Sequence, residues 1–111
     1  MIYKICRRTE WLAAEASGSF AGSADDRRDG FIHLSTAAQV AETAARHFGG
    51  EDNLVIVAVD GGKIAAALRW ERSRGGALFP HLYAPLDVAA VAWARPLRLD
   101  RDGRHQFPVL A

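Results

Sequence analysis

A single cysteine, Cys6, in 111 residues leaves no partner for an internal disulfide, and the expected compartment is the cytoplasm. No segment approaches the roughly 20 consecutive apolar residues that span a bilayer. The apolar run at residues 2–6 is also too short for a secretory signal, so no membrane partner is expected. Net charge is scarce too: at +1 the chain carries no broad positive field for double-stranded nucleic acid. Lysine is confined to Lys4 and Lys63. The four histidines are far apart and Cys6 stands alone, so no local zinc spacing exists and no metal is expected. Gly61-Gly62-Lys63 lacks the rest of a phosphate-binding P-loop, and no dinucleotide glycine fingerprint appears. Repeats, linkers and low-complexity tracts are absent.

What remains is about half apolar, enough for one core in a single domain over residues 1–111. Residues 2–6 alternate as a first strand, placing Lys4 on it. Thr9 is the expected cap of a helix over residues 10–17, with Gly18 ending it. Residues 19–28 are small, polar and charged and read as a loop with Phe20 as its anchor. A second helix is expected over residues 37–48, because Ala37, Val40, Ala41, Ala44 and Phe48 recur at helical spacing before Gly49-Gly50. Residues 54–59 form an unbroken apolar, β-branched run, the pattern of a central strand buried on both faces. Residues 68–72 alternate, so Trp70 and Glu71 point to opposite faces. Residues 78–85 are held extended by Pro80 and Pro85. A last strand over residues 91–97 is followed by a turn at 101–103 and a return at 105–110. The fold class expected is α+β: a mostly antiparallel, split sheet with two main helices.

The candidate chemistry centres on Asp29-Gly30-Phe31-Ile32-His33-Leu34-Ser35-Thr36. Gly30 permits a sharp entry, and one imidazole interrupts a short apolar strand. Ser35 and Thr36 then hand over to a helix N-terminus, where backbone N–H groups favour an anionic ligand. His33 is the first catalytic candidate, against a structural, hydrogen-bonded histidine as the alternative. Ser35 is either a ligand hydroxyl or a cap. His81 sits in the rigid extended segment, and Glu71 offers an acid, a base or an acceptor for a ribose hydroxyl. Trp70, Phe79 and Tyr83 supply either an aromatic wall for a flat ring or core packing. Cys6 reads as a small buried hydrophobe.

With these residues in hand, the chain resembles the bacterial family catalogued as domain of unknown function 952. The likeness runs through residues 2–5, Trp11, the block from Asp29 to Ser35, residues 54–60, Trp70-Glu71, and Phe79-Pro80-His81-Leu82-Tyr83. His33-Leu34-Ser35, Thr43-Ala44 and residues 55–60 more distantly resemble the NAD-dependent RNA 2′-phosphotransferases. That second resemblance implies an ADP-ribosyltransferase-like fold, a split sheet gripping NAD as cofactor. Where that fold has His or Arg in its first motif, this chain has Tyr3 and Lys4. Where its third motif has a glutamate, this chain has His81 and Tyr83, with Glu71 on the preceding strand.

Two functions follow as expectations. The first is NAD-dependent ADP-ribosyl transfer, in which His33 and Ser35 hold the ribose or amide and Tyr83 stacks on the nicotinamide. Glu71 or His81 then orients a hydroxyl, and Lys4 meets phosphate. The second is a non-catalytic domain that binds a small nucleotide-like or anionic ligand in the same cleft, and a protein-interaction module is a blander third possibility. Catalytic candidates are thus His33, Glu71 and His81, and ligand-binding candidates are Lys4, Ser35, Trp70 and Tyr83.

Overall fold

The run Leu54-Val55-Ile56-Val57-Ala58-Val59 forms the strand on which the rest is assembled, and all six of its residues are buried. A computed structural model describes residues 1–110. Its elements in chain order are β1 (Ile2–Arg7), α1 (Arg8–Ser17), β2 (Ser19–Phe20), α2 (Ala24–Asp29), β3 (Ile32–His33), α3 (Val40–Phe48), β4 (Leu54–Val59), β5 (Leu68–Arg72), β6 (Leu78–Leu82), β7 (Leu86–Asp87) and β8 (Val91–Leu97). A 3-10 helix, Gly61–Ala67, joins β4 to β5, and another, Val88–Ala90, precedes β8.

β4 lies between β1 and β8 in an antiparallel three-stranded sheet. Because side chains alternate along a strand, this sheet divides the core in two. Ile2, Cys6, Val55, Val57 and Val59 join Trp11 of α1 and Phe20 on one side. Tyr3, Ile5, Leu54, Ile56 and Ala58 meet Val40 and Ala44 of α3 on the other. A second antiparallel three-stranded sheet has the order β3, β6, β5, and β2 pairs with β7 in a short ribbon. The two larger sheets touch where Tyr3 and Ser35 exchange backbone hydrogen bonds of 2.8 and 2.9 Å. That pair is an isolated bridge, and β1 and β3 form no ladder with each other. The architecture is α+β with antiparallel sheets and few helices.

Four local readings differ from the sequence expectation. Residues 19–28 are not a plain loop, because Ser23 caps α2 reciprocally. Its hydroxyl accepts from the Asp26 N–H while its own N–H donates to the Asp26 carboxylate. Helix α3 starts at Val40, after a turn in which the Gln39 and Val40 N–H groups donate to the Thr36 carbonyl; the Gln39 side chain accepts from the Thr36 N–H, as in half of a capping box, and its amide donates to the Leu78 carbonyl. The expected cap of α1 moves from Thr9 to Arg7, whose N–H donates to Glu10. The return at residues 105–110 forms one bridge, Leu99 to His105, and then an irregular segment whose Phe107 and Leu110 pack on the core. None of the helices among the described residues is long and apolar enough to cross a membrane.

Candidate functional site

His33 and His81 are direct partners across β3 and β6, so both rings project from the same face of the second sheet. Arg69 and Glu71 share that face, as they oppose His81 and Phe79. Trp70 opposes Pro80, projects from the other face and is half exposed. It therefore stands apart from the other candidates.

The His33 ring is held from two sides. Its Nδ1 lies 2.6 Å from Asp26 Oδ1, and its Nε2 lies 3.0 Å from Asp29 Oδ2. The His33 backbone N–H also donates to Asp26 Oδ1, at 3.1 Å. Asp26 in turn receives the Lys4 ammonium, at 2.8 Å from Oδ2 and 3.0 Å from Oδ1. The same ammonium donates to the His33 carbonyl at 3.1 Å, so Lys4 bridges the gap between β1 and β3. Burial alone would push the Asp26 carboxyl up. The hydrogen bond from His33, the charge and hydrogen bond of Lys4 and the Ser23 amide outweigh it, and the carboxyl sits far below the ordinary range. Hydrogen bonding from Arg28, and its charge, likewise lower the exposed Asp29 carboxyl.

His81 is buried and stacks on Phe31, with centroids 4.0 Å apart and planes 21° apart. Its Nδ1 lies 2.9 Å from Glu71 Oε1, which also accepts the Tyr83 hydroxyl at 2.6 Å. The Tyr83 and His81 hydrogen bonds lower the Glu71 carboxyl, and the same carboxylate raises the Tyr83 phenol. The Arg69 guanidinium lies 5.1 Å from the Tyr83 ring centre. The two histidine rings are 5.7 Å apart and nearly edge to face.

A cavity of about 560 Å³ opens between β1, β3, α2 and α3, and its lining includes Lys4, Asp26, His33, Ser35 and His81. Arg28, Arg46 and His47 also line it. The Ser35 hydroxyl lies 3.1 Å from the Thr43 hydroxyl, so Ser35 is fixed against α3 and does not serve as a helix cap. Four sequence candidates, Lys4, His33, Ser35 and His81, therefore meet in one cavity, and Glu71 and Tyr83 back His81 outside that lining. Cys6 is buried on the core side with its thiol pushed up to about 12, because burial outweighs the nearby Lys4 charge. Among the described residues no group of three or more metal-ligating side chains converges. A second recess of about 400 Å³, beside α1, β4 and β8, contains none of the candidates.

Sequence reasoning missed Asp26, the group joining Lys4 to His33. The signal was present in Ser23-Ala24-Asp25-Asp26, a hydroxyl cap with an acid three residues on, followed by Gly30 at the helix end. Gly30 takes a φ of +87°, as that ending requires.

The family profile described as protein of unknown function, DUF952, matches residues 5–94. The chain is similar to protein CC0527 from Caulobacter crescentus, known from a crystal structure. Identity is 55%, with a TM-score of 0.90 and coverage of 95% of this chain and 92% of that one. The solution structure of CC0527 gives a TM-score of 0.85, at 55% identity and with coverage of 95% and 90%. No curated protein gives a match. On the profile match and that degree of identity, the chain belongs to the DUF952 family.

Proposed function

We propose that the cavity binds a nucleotide, with NAD the first candidate, in the manner of the ADP-ribosyltransferase-like clefts that the sequence distantly resembles. One observation carries this reading: β1 and β3 are joined only through the isolated Tyr3–Ser35 bridge, and Lys4, His33, Ser35 and His81 line one cavity beside it. Its volume of about 560 Å³ falls within the range of small-ligand pockets. In this reading His33 and Ser35 meet ribose hydroxyls or the carboxamide, and Arg28 and Arg46, which also line the cavity, exchange their carboxylate partners for phosphate. Lys4 acts at one remove, by holding Asp26 and the His33 carbonyl.

Transfer of the ADP-ribosyl group needs a carboxylate beside the ribose to favour an oxocarbenium-like transition state. Glu71 reaches the cavity only through His81, to which it is hydrogen-bonded. This arrangement favours binding without turnover as the second reading, with the same ligand and the same contacts.

The test is a thermal-unfolding titration with NAD on the wild type and on His33→Ala, run beside an assay for released nicotinamide. A ligand at ten times its dissociation constant adds roughly 1.4 kcal/mol, a midpoint rise of several degrees at about 4–8 °C per kcal/mol. The expected outcome is a rise in wild type that His33→Ala abolishes. No rise at millimolar NAD overturns the NAD assignment, and a rise without nicotinamide release decides for binding alone.

A further inference from the structure

We propose that His33 and His81 form an acid–base pair that hydrolyses a phosphodiester bound in this cavity, with nucleoside 2′,3′-cyclic phosphates as the substrate class. The inference rests on the reading of the cavity as a nucleotide site and adds a reaction to it.

The two rings leave the same face of adjacent strands, line one cavity and stand 5.7 Å apart. Each has Nδ1 against a carboxylate, Asp26 for His33 and Glu71 for His81. A carboxylate only accepts hydrogen bonds, so each Nδ1 bears a proton and Nε2 is left as the reactive nitrogen. The surroundings then separate the two roles. His33 Nε2 stands 3.0 Å from a second carboxylate, Asp29, an ion-pair distance, and on that contact His33 is assigned the role of donor. His81 donates a hydrogen bond from Nδ1–H to Glu71, which leaves Nε2 as the acceptor of the pair.

Both rings are held before any ligand arrives. Asp26 is anchored by Lys4 and Ser23, Glu71 by Tyr83, and His81 is stacked on Phe31. Neither nearby nucleophile is activated for a covalent route. The Ser35 hydroxyl bonds to the Thr43 hydroxyl and not to a histidine or carboxylate that could act as its base, and Cys6 is buried with a thiol pushed up to about 12. Water is therefore the attacking group.

His81 Nε2 takes a proton from a water molecule as the water oxygen bonds to phosphorus. The bond from phosphorus to O2′ breaks, and O2′ takes the proton from His33 Nε2. The product is a nucleoside 3′-phosphate. Proton exchange with solvent returns both rings to their starting forms, and no oxidant, reductant or further reactant is consumed. A five-membered cyclic ester suits this pair because one proton accepted and one donated complete the reaction. The leaving oxygen takes over the contact that Asp29 makes with His33.

The experiment incubates the purified protein with 2′,3′-cyclic AMP and follows 3′-AMP by chromatography, with His33→Gln, His81→Gln, Glu71→Gln and His105→Gln in parallel. Unfolding midpoints confirm that each variant is folded, and 3′-AMP is titrated into each by thermal shift. Expected is turnover by wild type, a fall in kcat of at least about 100-fold in His33→Gln and His81→Gln, a smaller fall in Glu71→Gln, and no change in His105→Gln. If His81→Gln does not fold, His33→Gln and Glu71→Gln carry the test. A thermal shift with no hydrolysis by wild type overturns the acid–base pair and leaves the nucleotide site standing. Absence of both overturns the two together, and equal hydrolysis by every variant traces the activity to a contaminant and overturns the pair.

Discussion

Asp26 is the residue on which the cavity depends, since one carboxylate joins α2, β1 and β3 through Ser23, Lys4 and His33. Its side chain is 2% exposed and that of Lys4 is 7%. Removing one member of such a pair strands the other in a poorly solvated place, a loss of about 3–5 kcal/mol. Asp26→Asn is expected to lower the unfolding free energy in urea by that amount. The same group sets an acid limit. Its folded pKa is depressed, so the stability it provides is fully present above the unfolded value of about 3.9 and is lost as pH falls towards the folded value. The urea midpoint of the wild type should therefore fall as pH drops below about 4, and Asp26→Asn should flatten that fall. Cys6 gives a simpler prediction. A buried thiol pushed up to about 12 carries little thiolate near neutrality, so iodoacetamide should label it only once the protein unfolds.

At the level of elements, α2 is a short helix whose place is set by its ends. Ser23→Ala removes the acceptor for the Asp26 N–H and should cost about 1 kcal/mol. Gly22 precedes this cap at a φ of +108°, and a Cβ there would stand 2.9 Å from the Asp26 Cβ. Gly22→Ala should therefore destabilise the chain and weaken any ligand that needs His33, which a urea titration and a binding titration on the same protein would separate. The long elements were legible from their side-chain periods: β1, α1, β4, β5 and β8 fall within a residue or two of expectation. Helix α2 was not legible as a helix, because five of its six residues are charged and show no apolar face, and only its cap and the closing Gly30 marked it. The start of α3 was placed three residues early, because residues 36–39 form a turn in which the Gln39 and Val40 N–H groups share the Thr36 carbonyl.

For the molecule as a whole, β4 is the shared wall of two cores, so damage there should be felt on both sides. Ile56 is fully buried and packs on the α3 side, with Val57 facing the α1 side. Ile56→Ala is expected to cost about 2–5 kcal/mol. It should shift unfolding followed by tryptophan fluorescence and by circular dichroism equally, because Trp11 and Trp93 lie on opposite sides of the same sheet. Non-coincident transitions would show instead that the two cores unfold separately.

The sequence alone determined the α+β class, the buried central strand and the identities of His33, Ser35 and His81 as candidates. These depend on local period, turn chemistry and the rarity of an imidazole within an apolar strand. Only the tertiary structure decided which of them meet. The register of β3 against β6 puts His33 beside His81, while that of β5 turns Glu71 towards His81 and Trp70 away. The Lys4–Asp26 pair joins residues 22 apart in sequence, and Ser35 meets Thr43 on a helix. Contacts of this kind follow from how strands and helices are stacked, and no repeat or spacing along the chain records them.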